Sequence, residues 1–256
     1  MGFELKVRKN QGIKQPEILN FFTRLIVYND LSNIIMKKAI IIGATGLVGH
    51  ELVKLAVEDP YFSEIKIFVR RPSGFRHPKL QEEIIDFDAP DIWKDKVKAD
   101  VLFSALGTTL KKAGSKDTQR RIDYTYQYEF ARIASENAVP EYVLVSAPGA
   151  SPNSMIFYSR IKGELDRDVE KLAFRHITLI KPSILAGERD EERKGEEIGI
   201  KVMSFFKNVP GLRKYRPIDG EIVAKSMINA AKMQKDERLQ EYRLNELFEL
   251  AGENVK

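Results

Sequence analysis

The chain contains no cysteine, which removes disulfide frameworks, thiol nucleophiles, iron–sulfur clusters and cysteine zinc sites. Histidine is almost as scarce. His50, His77 and His176 stand far apart and none pairs with another at ligand spacing, so a histidine metal centre and a Ser/His/Asp hydrolase lack their parts, and no metal is expected. No apolar run approaches the roughly 20 residues that a bilayer span requires, so stable membrane insertion is not expected. Basic residues outnumber acidic ones, 42 to 37, for a net charge of +5. The signs are interleaved, as in "ERDEERKGEE" (188–197), and no dense basic stripe carries aromatics between its charges; no nucleic-acid partner is expected. The absence of cysteine fits an intracellular protein, and residues 1–35 have no small-residue cleavage site of the secretory kind, so the expected location is cytoplasmic.

What the sequence has in quantity is a repeating α/β text. Its 256 residues, 43% hydrophobic and 31% charged, suffice for one large α/β domain, or for one domain and a small annex. Residues 1–35 are basic on balance and hold one short amphipathic stretch, "PEILNFFTRLIVYNDL". From Met36 the character changes: Lys37 and Lys38 precede the β-branched run Ala39–Ile42, which reads as a buried strand. Further strands are expected over 64–70, 82–88, 99–107, 141–147 and 176–182, with a last one near 241–244. Helices are expected from Leu47, over 122–139 as far as Pro140, and over 154–173. Strands alternating with helices are the pattern of a doubly wound parallel sheet covered on both faces, a Rossmann-like α/β fold with a small C-terminal region over the substrate.

Gly43, Gly46 and Gly49 form G-x-x-G-x-x-G between the first strand and the helix opening near Leu47. A turn this tight needs residues without Cβ, so that backbone amides approach a pyrophosphate at the positive end of the helix. The end of the second strand selects the dinucleotide. A ribose 2′-hydroxyl calls for an acidic residue there, and a 2′-phosphate for a basic one. The chain reads "VRRPSGFRH", and Arg70 and Arg71 suit phosphate; NADP(H) is expected over NAD(H). Tyr158 and Lys162, four residues apart on an expected helix, project from one face. An ammonium beside a phenol lowers its pKa and makes it usable in acid–base chemistry. Ser146 closes the fifth strand, where its hydroxyl could bond a substrate carbonyl oxygen.

These stretches together, "GATGLVG", "VRRP", "ALGTTLKKAGSK", "IDYTYQYEFARIA", "VLVSAPGASPNSMIFYSRIKGELD", "KPSILAGER" and "KYRPID", resemble the short-chain dehydrogenase/reductase superfamily in its atypical, extended-like form. The resemblance is nearest to the Tat-interacting-protein-like oxidoreductases and their bacterial relatives, and it covers nearly all of 36–250. It implies that Gly43, Thr45, Gly46, Leu47 and Val48 line the pyrophosphate and that Arg70 and Arg71 meet the 2′-phosphate. Asp86 and Phe87 would lie beside the adenine, Ala105, Leu106 and Gly107 along the fourth-strand edge of the cofactor, and Pro182 beyond the sixth strand. Tyr158 would protonate a carbonyl oxygen as hydride arrives, Lys162 would lower the tyrosine pKa and bind the nicotinamide ribose, and Ser146 would polarise the carbonyl.

Three positions depart from the family pattern. Ser146 is followed by Ala147 where a second serine is common, leaving Ser151 or Ser154 as substitutes; "KPS" at Lys181 replaces "RPS"; and Asp123 stands where related enzymes carry asparagine. The resemblance also implies a domain that begins near Met36, with 1–35 an extension outside the core and 36–256 a single NAD(P)-binding domain. The loop 105–120 is expected at the mouth of the site and 205–219 over the substrate pocket. The function expected is reduction of a small carbonyl substrate by NADPH, in a monomer or homodimer. The alternatives are an NADPH-binding regulator without turnover and a nucleotide-sugar epimerase or dehydratase.

Overall fold

Seven parallel strands form the central sheet of the computed structural model, which describes residues 36–183, 185–186 and 217–253. They are β1 (Lys37–Ile42), β2 (Phe62–Val69), β3 (Leu80–Ile84), β4 (Val101–Ser104), β5 (Glu141–Val145), β6 (His176–Lys181) and, after a small separate pair β7 (Leu185–Ala186) and β8 (Ile218–Asp219), β9 (Leu239–Arg243). The order across the sheet is β3-β2-β1-β4-β5-β6-β9. The chain builds outward from β1 to β3, returns to the other side of β1 with β4, and builds outward again. The expected extension 1–35 and most of the expected cover 205–219 lie outside the described residues.

Successive side chains of a strand point to opposite faces, and β1 shows what that does here. Ala39 and Ile41 join one core with Leu52, Val53 and Ala56 of the helix Leu47–Glu58 and with Val223 and Met227 of the helix Gly220–Lys232. Ile40 and Ile42 join the other, with Phe130 and Ala134 of the helix Tyr126–Glu136 and Leu165 of the helix Phe157–Val169. All four β1 residues are at most 1% exposed. A strand covered on both faces loses its polar alternation, which is why "AIII" is legible as a parallel strand.

The fourth strand, expected over 99–107, is confined to Val101–Ser104, the helix expected over 154–173 to Phe157–Val169, and two further elements differ in ways that bear on the site. The third strand ends at Ile84 rather than at 88, because Ile85 and Phe87 turn into the core. There Phe87 packs on Tyr126 and Trp93, with ring centroids 5.2 and 6.2 Å apart. The helix expected over 122–139 begins earlier, at Lys116–Arg120, and passes through a π-helical turn, Arg121–Thr125, before Tyr126–Glu136. A π turn inserts one residue into the helical ladder and re-aims the side chains around it; here it leaves Asp123 buried, and it faces the site described next.

Candidate functional site

A cleft of about 880 Å³ opens at the carboxyl ends of β1, β4, β5 and β6. In an open parallel sheet the crevice forms where the chain reverses its direction of building, because the connections on either side leave toward opposite faces. Here that point is between β1 and β4. Leu47, Val48, Ala105, Leu106 and Gly107 line one wall; Ser146, Tyr158, Lys162 and Pro182 line the other.

The glycine turn is enforced by sterics. Gly43 has φ +82°, and a Cβ there would lie 2.4 Å from the Ala105 carbonyl carbon. Gly49, one turn into the helix Leu47–Glu58, passes so close to the turn that a Cβ would sit 2.0 Å from the Gly43 carbonyl oxygen. Gly46 N–H donates to that same oxygen at 2.9 Å, and as the N-cap residue Gly46 has no side chain with which to occupy the first amides of the helix. The helix therefore presents bare N–H groups and its positive end, the arrangement that suits a pyrophosphate. Thr45 is exposed at the tip.

Arg70 and Arg71 follow the last residue of β2, the strand next to β1, and both are exposed. Neither is held by an ion pair among the described residues. Asp86 is exposed just beyond β3, and its backbone carbonyl accepts from Trp93 Nε1 at 2.8 Å. Phe87 does not join this rim: its side chain is 7% exposed, inside the core, so only its backbone is available to a neighbour on the surface.

Ser146, Tyr158 and Lys162 all line the cleft, the last two from one face of the helix Phe157–Val169. Lys162 is 3% exposed and its Nζ donates to the carbonyl of Val145 at 2.7 Å. Burial lowers its pKa, while Asp123 and Asp166 act in the opposite sense. Tyr158 keeps 42% of its surface exposed, and its hydroxyl is pushed up to about 12, first by burial and then by the carboxylates of Asp123 and Asp166. The expected lowering by Lys162 is not found. The ammonium is engaged by a backbone carbonyl, and the charges that act on the phenol are negative. Gly163 lets this helix lie against the preceding loop, since a Cβ there would fall 2.2 Å from the Ser151 carbonyl carbon. Ser151 is thereby used in packing, and Ser154 Oγ accepts from the Ile156 N–H at 3.1 Å just before the helix begins. Neither lines the cleft.

Asp123 is 1% exposed; its Oδ1 accepts from the Thr108 N–H at 2.8 Å, Gln119 lies beside the carboxylate, and Oδ2 has no partner at hydrogen-bond distance among the described residues. Burial raises its pKa against the lowering effect of Lys162. Behind Ser146 lies a chain of groups absent from the expected set. Ser146 Oγ donates to Asp166 Oδ2 at 2.8 Å, Lys181 Nζ lies 3.1 Å from the same oxygen, and Glu241 Oε2 lies 2.8 Å from Lys181 Nζ. A periodicity signal for Asp166 was present, because 158, 162 and 166 repeat at four residues and share a helix face. Nothing local marks Glu241, which sits on a strand 60 residues beyond Lys181.

Residues 38–121 match the family model described as the semialdehyde dehydrogenase NAD-binding domain. The mitochondrial protein FMP52 of Candida albicans is 37% identical over 199 residues, covering 75% of this chain and 86% of the relative. The chain belongs to the FMP52 family. FMP52 is thus the family shown, where the motifs resembled the Tat-interacting-protein-like branch. Among solved structures, a short-chain dehydrogenase from Burkholderia cenocepacia in complex with NADP superposes with a TM-score of 0.59 at 15% identity, covering 84% of this chain and 92% of that one. MoeE5 in complex with UDP-glucose and NAD gives 0.58 at 12%, covering 84% and 81%. This chain therefore has the NAD(P)-binding Rossmann-type fold of the short-chain dehydrogenase and epimerase group. The FMP52 relatives are named mitochondrial, which overturns the expected cytoplasmic location. The composition that suggested it, free of cysteine, separates oxidising from reducing surroundings and does not distinguish one intracellular compartment from another.

Proposed function

We propose that this chain is an NADPH-dependent oxidoreductase that reduces a small carbonyl compound. The observation that carries the reading is that Ser146, Tyr158 and Lys162, from two separate elements, meet in one cleft whose opposite wall starts from the glycine turn. When bound, the nicotinamide would supply the hydride. Gly43, Gly46 and the amides that open the helix at Leu47 would hold the pyrophosphate, with Thr45 and Val48 beside it. Arg70 and Arg71, exposed and without ion pairs among the described residues, would receive the 2′-phosphate and set the preference for NADP(H). Asp86 and the Phe87 backbone would border the adenine, and Ala105 to Gly107 and Pro182 the rest of the cofactor.

Tyr158, with its pKa pushed up to about 12, is a phenol at neutral pH and so stands ready to give a proton to the oxygen of a carbonyl as its carbon is reduced. That state favours reduction; in the reverse direction a phenolate would be needed. Lys162, held by the Val145 carbonyl, would carry its charge beneath the nicotinamide ribose. A mitochondrial location is part of the proposal, on the names of the relatives, and subcellular fractionation tests it.

The first experiment is a titration of the full-length protein with NADPH and with NADH, read by reduced-nicotinamide fluorescence, followed by turnover of a carbonyl panel. Tight NADPH, weaker NADH and turnover support the proposal. Binding of NADPH with no turnover on any carbonyl favours the regulator, and failure to bind either cofactor removes both.

A further inference from the structure

Asp166 has no part in the reading above, yet the catalytic serine is built against it. It is 5% exposed and lies one turn beyond Lys162 on the same helix face. Its Oδ2 is 2.8 Å from Ser146 Oγ and 3.1 Å from Lys181 Nζ. An ammonium has only protons to offer, so Oδ2 accepts, and the proton in the serine contact is the serine's own. A hydroxyl has one proton. Ser146 is further fixed through its N–H, which donates to the Ile180 carbonyl at 2.8 Å, and Lys181 is anchored from behind by Glu241 at 2.8 Å. The carboxylate cannot swing away without parting from a buried ammonium. Ser146 lines the cleft with its proton already committed and, among the described residues, with no donor to its lone pairs.

A carbonyl oxygen has no proton to give to those lone pairs, whereas a hydroxyl has. A site that buries an acceptor rejects a ligand that leaves it unpaired. Resting on the reductase reading above, we propose that Asp166 is a positioning residue that holds the Ser146 proton, so that Ser146 meets the substrate as an acceptor and selects carbonyl compounds carrying a neighbouring hydroxyl. Tyr158 then donates to the carbonyl oxygen while Ser146 receives the adjacent O–H. The serine therefore does not polarise the carbonyl.

The test has two arms on the full-length chain. In the first, NADPH-dependent kcat/KM is measured for acetoin and butan-2-one, which differ by one hydroxyl. The expected result is a preference for acetoin of at least about tenfold. Asp166→Ala would remove the acceptor and free the serine's proton, and Ser146→Ala would remove the lone pairs. Each is expected to collapse the preference through KM for acetoin. Equal kcat/KM for the two ketones in the unaltered protein, or a preference that survives either variant, overturns the proposal.

The second arm needs no turnover. The chain has no cysteine, so Ser146→Cys introduces a lone thiol whose alkylation by iodoacetamide reports its neighbour. With Asp166 holding the thiol hydrogen, alkylation at pH 8 should be about tenfold slower than in Ser146→Cys/Asp166→Ala, the equivalent of one pKa unit. Equal rates overturn the proposal. If the double variant does not fold, a thiol pKa in Ser146→Cys below the ordinary value of about 8.5 overturns it instead. If NADPH binds and neither ketone turns over, the reductase reading is what fails, and the thiol rates alone decide whether Asp166 holds the group at 146.

Discussion

The two sides of the sheet solve different problems with different materials. On the side of β1 to β3 the site is made of backbone and of missing atoms: Gly43 at φ +82°, Gly49 pressed on the Gly43 carbonyl, and a helix whose N-cap glycine offers no side chain. On the side of β4 to β6 and β9 it is made of buried charge: Asp123, Lys162, Asp166 and Lys181 are all at most 6% exposed. On the proposed function, the difference follows from what each side would have to hold. A large anion can be bound by amides and a helix end with little else, provided nothing stands in the way. A proton held or moved at a defined atom needs ionisable groups whose surroundings tune them, and such groups must be paired if they are to be buried at all.

The comparison breaks most sharply at Gly49. Gly49→Ala would set a methyl 2.0 Å from the Gly43 carbonyl oxygen, and backbone cannot yield as a flexible side chain does. A loss of more than about 4 kcal/mol is expected, seen as loss of a folded transition in thermal denaturation. Tyr158→Phe tests the other side. Turnover should fall by about 10²–10⁴-fold, as for removal of a general acid, with NADPH affinity nearly unchanged by fluorescence titration; retained turnover would take the tyrosine out of the reaction. Arg70→Ala with Arg71→Ala returns to the first side, where losing one charge-assisted phosphate contact costs about 2 kcal/mol. NADPH binding should weaken roughly thirtyfold while NADH is little affected, and equal losses for both would detach these arginines from the 2′-phosphate.

The next effect is smaller and depends on pH. Burial raises the folded pKa of Asp123 above its unfolded value. The unfolded chain therefore ionises first, and stability falls as pH rises from about 4, the unfolded carboxylate value, until the folded pKa is passed. Asp123→Asn keeps an acceptor for the Thr108 N–H and removes that loss, so its melting temperature relative to the unaltered protein should be higher at pH 7 than at pH 3. An unchanged difference between the two pH values would show that the carboxylate is not ionised by folding-linked titration. The smallest effect is expected at Arg120–Glu164, 2.6 Å apart and partly exposed. Glu164→Ala should cost less than about 1 kcal/mol, measured by chemical denaturation.

What the sequence determined by itself was the frame and the local part of the site. β1, the glycine turn and the helix after it follow one another within about twenty residues, so their hydrophobic run, their glycine spacing and their order were sufficient. Tyr158 and Lys162 lie one helical turn apart, and that spacing alone puts them on one face. Where the local text misled, a distant partner was the cause: Phe87 reads as strand but is drawn into the core by Tyr126 and Trp93. Only the tertiary structure decided the state of the groups in the cleft. The pKa of Tyr158 is raised rather than lowered first because burial disfavours its phenolate and then because carboxylates from two helices lie near it, and Ser146 has no free proton because Asp166, Lys181 and Glu241 come together from a helix and two strands. Electrostatic energies depend on burial and on distances in space, and neither quantity is written in the order of residues along the chain.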